Sequence, residues 1–225
     1  MLDHPLLPSA TQPSFVPPQT GEHAHRFYRI GKRLIDVALV LAIGPMFLPL
    51  IGVLMLLTSL DGHAPLYSQL RVGQNGRLFR FWKLRTMIPH ADVALERYLE
   101  SDPQARAEWD ATQKLRHDPR LTPIGGWLRR YSLDELPQLW NVLIGDMSLV
   151  GPRPMMPSQR TLYPGTGYYE LRPGLTGLWQ ISERNTCTFA ERAAYDNRYA
   201  QIGSATTDFS ILLRTVSVIF RGTGC

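Results

Sequence analysis

The stretch Arg29–Gly62, "RIGKRLIDVALVLAIGPMFLPLIGVLMLLTSLDG", decides the architecture, because no charged residue interrupts it between Asp36 and Asp61. Its apolar run, Val37 to Leu57, would reach about 31 Å as a straight helix, long enough to cross a bilayer. A plain transmembrane helix or a buried core helix would each explain that. Two features favour a third reading. Pro45 and Pro49 remove amide donors and displace the carbonyls of Leu41 and Pro45, and Gly44 adds freedom beside them, so the spacing predicts a break near the middle. Basic residues also flank both ends, with Arg26, Arg29, Lys32 and Arg33 before and Arg71, Arg77, Arg80, Lys83 and Arg85 after. The positive-inside rule assigns both flanks to the cytoplasm, which one crossing cannot satisfy and a re-entrant helix-break-helix can.

Working outward, residues 1–28 carry five prolines in their first eighteen positions and neither a basic n-region nor an apolar core, so they read as a disordered tail rather than a signal peptide. Residues 29–60 are expected to form the membrane segment and 61–225 a cytoplasmic domain, the part of the chain that carries the candidate catalytic residues. In that domain "PLYSQLRV" and "LFRFWKLRTM" alternate and are joined by "GQNG", whose Asn75-Gly76 is a hairpin signal. "HADVALERYLESDPQARAEWDATQKLR" reads as a solvated helical hairpin broken at Asp102-Pro103, and "TPIGGWLRRYSLDELPQLWNVLIGD" as two short helices around an acidic pair. "LVGPRPMMP" and "LRPGLTGLWQI" read as loops, and "DFSILLRTVSVIFR" as a final helix against core or membrane surface. The expected fold class is α+β, mainly helical: the re-entrant helix, a compact domain with a small β-hairpin, and interfacial helices.

A net charge of +5 and a pI near 9.4 ask for an anionic partner. The cations are not arrayed along one element with interleaved aromatics, so nucleic acid is the poorest fit. Two cysteines, Cys187 and Cys225, with no paired spacing give neither a disulfide framework nor a zinc site, and a reducing compartment follows.

In "RRYSLDELPQLWN" (Arg129–Asn141) the neighbours Asp134 and Glu135 admit two explanations. Ser132-x-x-Glu135 matches a capping box, which accounts for Glu135 and only weakly for Asp134. The recurrence of Arg129, Arg130, Arg153, Arg172 and Arg184 around Gly/Pro loops favours an anion site. Adjacent carboxylates facing guanidiniums suit phosphoryl chemistry, whereas glycoside hydrolysis needs carboxylates about 5–9.5 Å apart across a sugar.

"YSQLRVGQNGRLFRFWKLRTM" (Tyr67–Met87), "DPRLTPIGGWLRRYSLDELPQLWNVLIGDMSLVGPRP" (Asp118–Pro154) and "RPGLTGLWQI" (Arg172–Ile181) resemble the successive motifs of the bacterial sugar transferases, the monotopic phosphoglycosyl transferases that start exopolysaccharide and glycan assembly. The resemblance runs from about Lys32 to Arg221. It implies transfer of a sugar-1-phosphate from a UDP-sugar to undecaprenyl phosphate in the membrane lipid, with Mg²⁺, at the cytoplasmic face of the bacterial inner membrane. It places the family's nucleophile on Asp134 and its metal-holding glutamate on Glu135, its Pro-Arg-Pro nucleotide motif on Pro152, Arg153 and Pro154, and phosphate-binding arginines on Arg129 and Arg184. Lys83 and Arg85 match a further basic motif. The family's re-entrant helix commonly has Ser-Pro at its break, where this chain has Gly44-Pro45, followed by Pro49. Set beside the family, the sequence reads as a minimal enzyme without the long membrane-spanning extension of some relatives; a homo-oligomer and downstream glycosyltransferases are candidate partners, and the sequence leaves oligomeric state and partner enzymes open. "SERNTCTFAERAAYDNRYA" lies where relatives vary, so the sugar stays open. A non-catalytic membrane-anchored scaffold or sensor for UDP-sugar, and direct in-line attack with Asp134 as a base, are the competing readings.

Overall fold

The computed structural model describes the backbone of residues 22–112, 115–182 and 188–220, and side chains from residue 28 onward. Helix α1 (Glu22–Ser59) contains both Pro45 and Pro49, so the break expected at Gly44-Pro45 is not an interruption of helix. Proline's fixed φ is itself helical; what it costs is an amide donor and a displaced carbonyl, and a helix can absorb both by bending. The helix also starts at Glu22, within the stretch expected as tail.

Both flanks of the apolar run are tied to one domain. At the near flank the Arg33 guanidinium donates to the carbonyls of Val142 and, at 2.8 Å, Leu143, while Asp36 accepts from the Ser148 hydroxyl at 2.7 Å and the Leu149 amide at 3.2 Å. At the far flank Arg85 donates to the Thr58 carbonyl at 2.8 Å and pairs with Asp61 at 2.5 Å. Between these ties Val40 and Leu54 are buried, while Leu34, Leu41, Met46, Leu48 and Leu56 stay exposed. One helix of this length and hydropathy, mostly uncovered by protein, fits a membrane location.

Strands β1 (Leu66–Val72) and β2 (Leu78–Leu84) form the expected hairpin, antiparallel from Leu66↔Leu84 to Val72↔Leu78. Asn75 supplies the left-handed backbone of the turn (φ 56°) and Gly76 follows it in the same region (φ 75°). Alternation puts Tyr67, Gln69 and Arg71 on one face of the hairpin with Phe79, Phe81 and Lys83.

Helices α2 (Ala91–Ser101) and α3 (Pro103–Thr112) make the expected helical hairpin, with Asp102 capping α3 through the amides of Gln104 and Ala105. It is less solvated than its polarity suggests, since Leu95, Leu99, Ala105 and Leu115 form a small core of their own. Helices α4 (Pro123–Arg130) and α5 (Gln138–Ile144) flank a 3-10 turn, Leu133–Glu135, that carries the acidic pair. Thr122 caps α4 by accepting from the Gly125 amide at 2.9 Å, and Pro123 follows it at the helix start.

The two segments expected as loops instead meet as a parallel pair, β3 (Ser148–Val150) with β4 (Gly174–Thr176). Three residues per strand are too few to show a period of two, and nearly every residue of the pair is buried, which erases alternation. A short helix α6 (Gly167–Glu170) packs on α7 (Arg192–Ile202), and α8 (Ala205–Phe220) packs on β3 and β4, with the Thr215 and Thr176 hydroxyls 2.7 Å apart. The outer face of α8, with Phe209, Leu213, Val216 and Phe220, is exposed. Mainly helical, with two small sheets among the described residues, the chain is α+β as expected.

Candidate active site

One face of the hairpin, the 3-10 turn and the segment after β3 enclose a cleft of about 650 Å³. The turn is shaped by Ser132, which takes a left-handed backbone (φ 56°, ψ 23°) rarely adopted outside glycine and asparagine. Its side chain makes no capping hydrogen bond, so the capping-box explanation of Glu135 does not hold.

Asp134 is 4% exposed at the base of the cleft, and the Lys83 ammonium lies 3.9 Å from its Oδ2. Burial pushes the Asp134 carboxyl above its ordinary pKa; Lys83 opposes that shift and the charge of Glu135 adds to it. Burial, reinforced by the charge of Arg129, brings Lys83 down to about 8. Glu135 accepts from Arg153 Nη2 at 2.8 Å.

Arg153 stands between two buried prolines. The Pro152 carbonyl accepts from the Gly174 amide at 2.8 Å, and the Pro154 carbonyl from Arg71 at 3.3 Å, so the Pro-Arg-Pro segment is pinned from both sides. Arg129 Nε donates to the Thr86 hydroxyl at 2.9 Å, and Arg129 Nη1 is 3.9 Å from Asp118. These contacts bring Lys83, Arg129, Asp134, Glu135, Arg153 and Pro154 into one cleft. Arg85 reaches its rim, but its guanidinium is engaged by Asp61 and by the carbonyls of Thr58 and Ala64, which makes it a tie between α1 and the hairpin. Arg184 lies outside the described residues. Arg172 lines a different cavity.

Three residues not singled out from the sequence also shape the site. Arg71 sits 5.2 Å over the Phe81 ring, with burial lowering its pKa to about 10. Asp118 takes a bidentate pair from Arg120 at 2.7 and 2.6 Å while facing Arg129, which holds Arg129 from behind. The "DPR" opening the second motif contains Asp118 and Arg120, and the alternation of "YSQLRV" puts Arg71 on the Lys83 face; both signals were available.

Among the described residues no three or more of His, Cys, Asp and Glu gather as a ready-made metal site. Asp134 and Glu135 nevertheless suit Mg²⁺, which is commonly held by one or two carboxylates plus substrate phosphates rather than by an all-protein cage.

A family model described as "Bacterial sugar transferase" matches residues 27–222. The chain belongs to the bacterial sugar transferase family. It is 43% identical over 206 residues to a "UDP-galactose-lipid carrier transferase" of Erwinia amylovora, covering 91% of this chain and 43% of that protein. It is 41% identical over 222 residues to the "Exopolysaccharide production protein ExoY" of Sinorhizobium fredii, covering 96% of both. An "Undecaprenyl-phosphate galactose phosphotransferase" of Salmonella typhimurium is 41% identical over 203 residues, 89% of this chain and 43% of that protein. The chain thus spans less than half of the Erwinia and Salmonella relatives and nearly all of the Sinorhizobium one.

Proposed function

We propose that the chain transfers a sugar-1-phosphate from a UDP-sugar to undecaprenyl phosphate, releasing UMP, through a covalent intermediate on Asp134. The observation that carries this reading is a buried carboxylate at the base of a cleft, with a lysine on one side and a ring of arginines around it. An Asp134 carboxylate oxygen attacks the sugar-bearing phosphorus, the bond from that phosphorus to the UMP oxygen breaks, and UMP leaves. An oxygen of the lipid phosphate then attacks the same phosphorus, the bond to Asp134 breaks, and the carboxylate is regenerated. Lys83 favours the ionised form of Asp134 against the burial that favours its acid form. Arg129 and Arg153 orient the phosphates and offset their charge. Glu135 and Asp134 would hold Mg²⁺, which when bound would supply further charge neutralisation at the pyrophosphate. Pro152 and Pro154 fix the backbone that aims Arg153, and Arg184 is assigned to the same phosphates from its motif. The direct test incubates membranes containing the chain with undecaprenyl phosphate and a panel of UDP-sugars. Acceptor-dependent UMP release from one of them is expected; release from none contradicts the reading.

Lys83 makes the activity pH-dependent with a defined sign. Its pKa near 8 leaves it charged below that pH and neutral above it. Because kcat/KM reports groups of the free enzyme, it should fall as pH rises through about 8. Lys83→Arg keeps its charge to much higher pH, so the alkaline limb should move upward even if the maximum rate drops. An unmoved limb assigns it to another group.

For orientation, the proposal keeps both flanks of α1 on the cytoplasmic side, supported by their shared ties to one domain. With Cys187 and Cys225 replaced by serine, single cysteines at Ser14 and Ser101 should both escape an impermeant thiol reagent in intact cells. Labelling at one position alone would establish a crossing.

A further inference from the structure

A second cavity, about 310 Å³, opens where α1 changes from charged to apolar, and it shares no lining residue with the catalytic cleft. Its walls carry Arg29, Lys32 and Arg33 from α1 and Arg172 from the segment before β4. Two of these cations are already used: Lys32 pairs with Asp208 at 2.6 Å, and Arg33 donates to the carbonyls of Val142 and Leu143. Asp36, the carboxylate in the wall, is occupied by the Ser148 hydroxyl and the Leu149 amide. Arg29 and Arg172 have no carboxylate within ion-pair distance among the described residues. Burial lowers the Arg172 pKa; the charge of Arg33 lowers it further, and Asp36 opposes. Guanidiniums that crowd one another in a concave, half-buried place, with the nearby acid committed elsewhere, make a receptor for an anion with several acceptor oxygens.

The surroundings select the kind of anion. Ile30 and Leu34 line the same cavity and are 53% and 66% exposed, and Leu41, 60% exposed, falls on the same side of α1 at 3.6 residues per turn. The cavity therefore continues into an uncovered apolar track, with Tyr28 at the charged end, an arrangement suited to the headgroup level of a bilayer. We propose that this cavity holds the phosphate of an anionic membrane phospholipid, with its acyl chains lying along the exposed apolar face of α1. The phosphate bridges Arg29 and Arg172, and so pins α1 to the segment that pairs with β3. This rests on the membrane location proposed above and not on the phosphotransfer chemistry.

The test compares purified full-length wild type, Arg29→Gln/Arg172→Gln and Arg77→Gln, the last an exposed arginine on the hairpin turn. Their thermal unfolding is followed in phosphatidylcholine micelles titrated with phosphatidylglycerol. Phosphatidylglycerol should raise the wild-type midpoint, and the double variant should need about tenfold more lipid or above for the same shift. Arg77→Gln should titrate like wild type, and inorganic phosphate should produce no comparable shift. Equal responses from wild type and the double variant, or an equal loss in Arg77→Gln, would overturn the site. A full shift with inorganic phosphate, or with undecaprenyl phosphate but not phosphatidylglycerol, would overturn the phospholipid assignment. Recovery of wild type in the membrane pellet of cells reads the membrane location separately; a soluble wild type would overturn both.

Discussion

Asp134→Asn should lower turnover by about three orders of magnitude or more while folding and expression stay near wild type. The amide is nearly the same size and can occupy the same buried position, but it cannot form an acyl phosphate. A mere acidic cap predicts something else, since loss of a dipole contact costs about 1 kcal/mol or less. Asp134→Glu should fail almost as badly. One added methylene moves the attacking oxygen by about 1 Å, enough to cost about a hundredfold, and it must do so against Lys83 and the buried wall of the cleft. The measurement is acceptor-dependent UMP release together with a melting curve. A folded Asp134→Asn protein with ordinary turnover removes Asp134 from the chemistry.

Gly174→Ala should be strongly damaging although it lies outside the acidic pair. A Cβ there would sit 2.0 Å from the Gly151 nitrogen and 2.4 Å from the Thr176 oxygen, both backbone atoms that cannot turn aside. The parallel strands would have to separate, at a cost of about 3 kcal/mol. The bond from the Gly174 amide to the Pro152 carbonyl would go with them, releasing the segment that aims Arg153. Turnover of the fraction still folded should drop about tenfold or more. Gly126→Ala is the internal comparison, because its Cβ meets nothing within 4 Å and it lies inside α4, where alanine is the better helix former. Equal melting temperatures for the two variants would show that the close approach at Gly174 does not hold the loop.

Both predictions show what could be read from the sequence. Local signals were legible: Asn75-Gly76 fixed the hairpin, and Asp102-Pro103 marked the boundary between α2 and α3. Thr122-Pro123 gave α4 a start whose capping only the structure revealed. The site residues Lys83, Arg129, Asp134, Glu135 and Arg153 were named because each stands in a recognisable motif, and the cleft brings them together. Long-range features were not legible. The β3–β4 pair joins segments more than twenty residues apart through three residues each, so neither periodicity nor turn chemistry announces it. The capping box is a false local signal: Ser132 has the right identity and spacing and precedes the 3-10 turn, but its backbone is left-handed and its side chain makes no capping hydrogen bond. Proline spacing alone does not fix the path of α1, which runs on as helix through Pro45 and Pro49, and the contacts that tie its flanks to the domain are tertiary. Arg33 on α5 and Arg85 on Thr58 and Asp61 are contacts that hydropathy does not record.

Whether Asp134 forms a covalent intermediate can be read by trapping it. Wild-type enzyme is given a UDP-sugar, radiolabelled in the sugar and in its phosphate, with no lipid acceptor, and the protein is denatured and counted. Both labels should stay on the protein, hydroxylamine should release them as expected for an acyl phosphate, and Asp134→Asn should retain neither. Turnover with no retained label, or an adduct mapped to a residue other than Asp134, would contradict a covalent intermediate on Asp134.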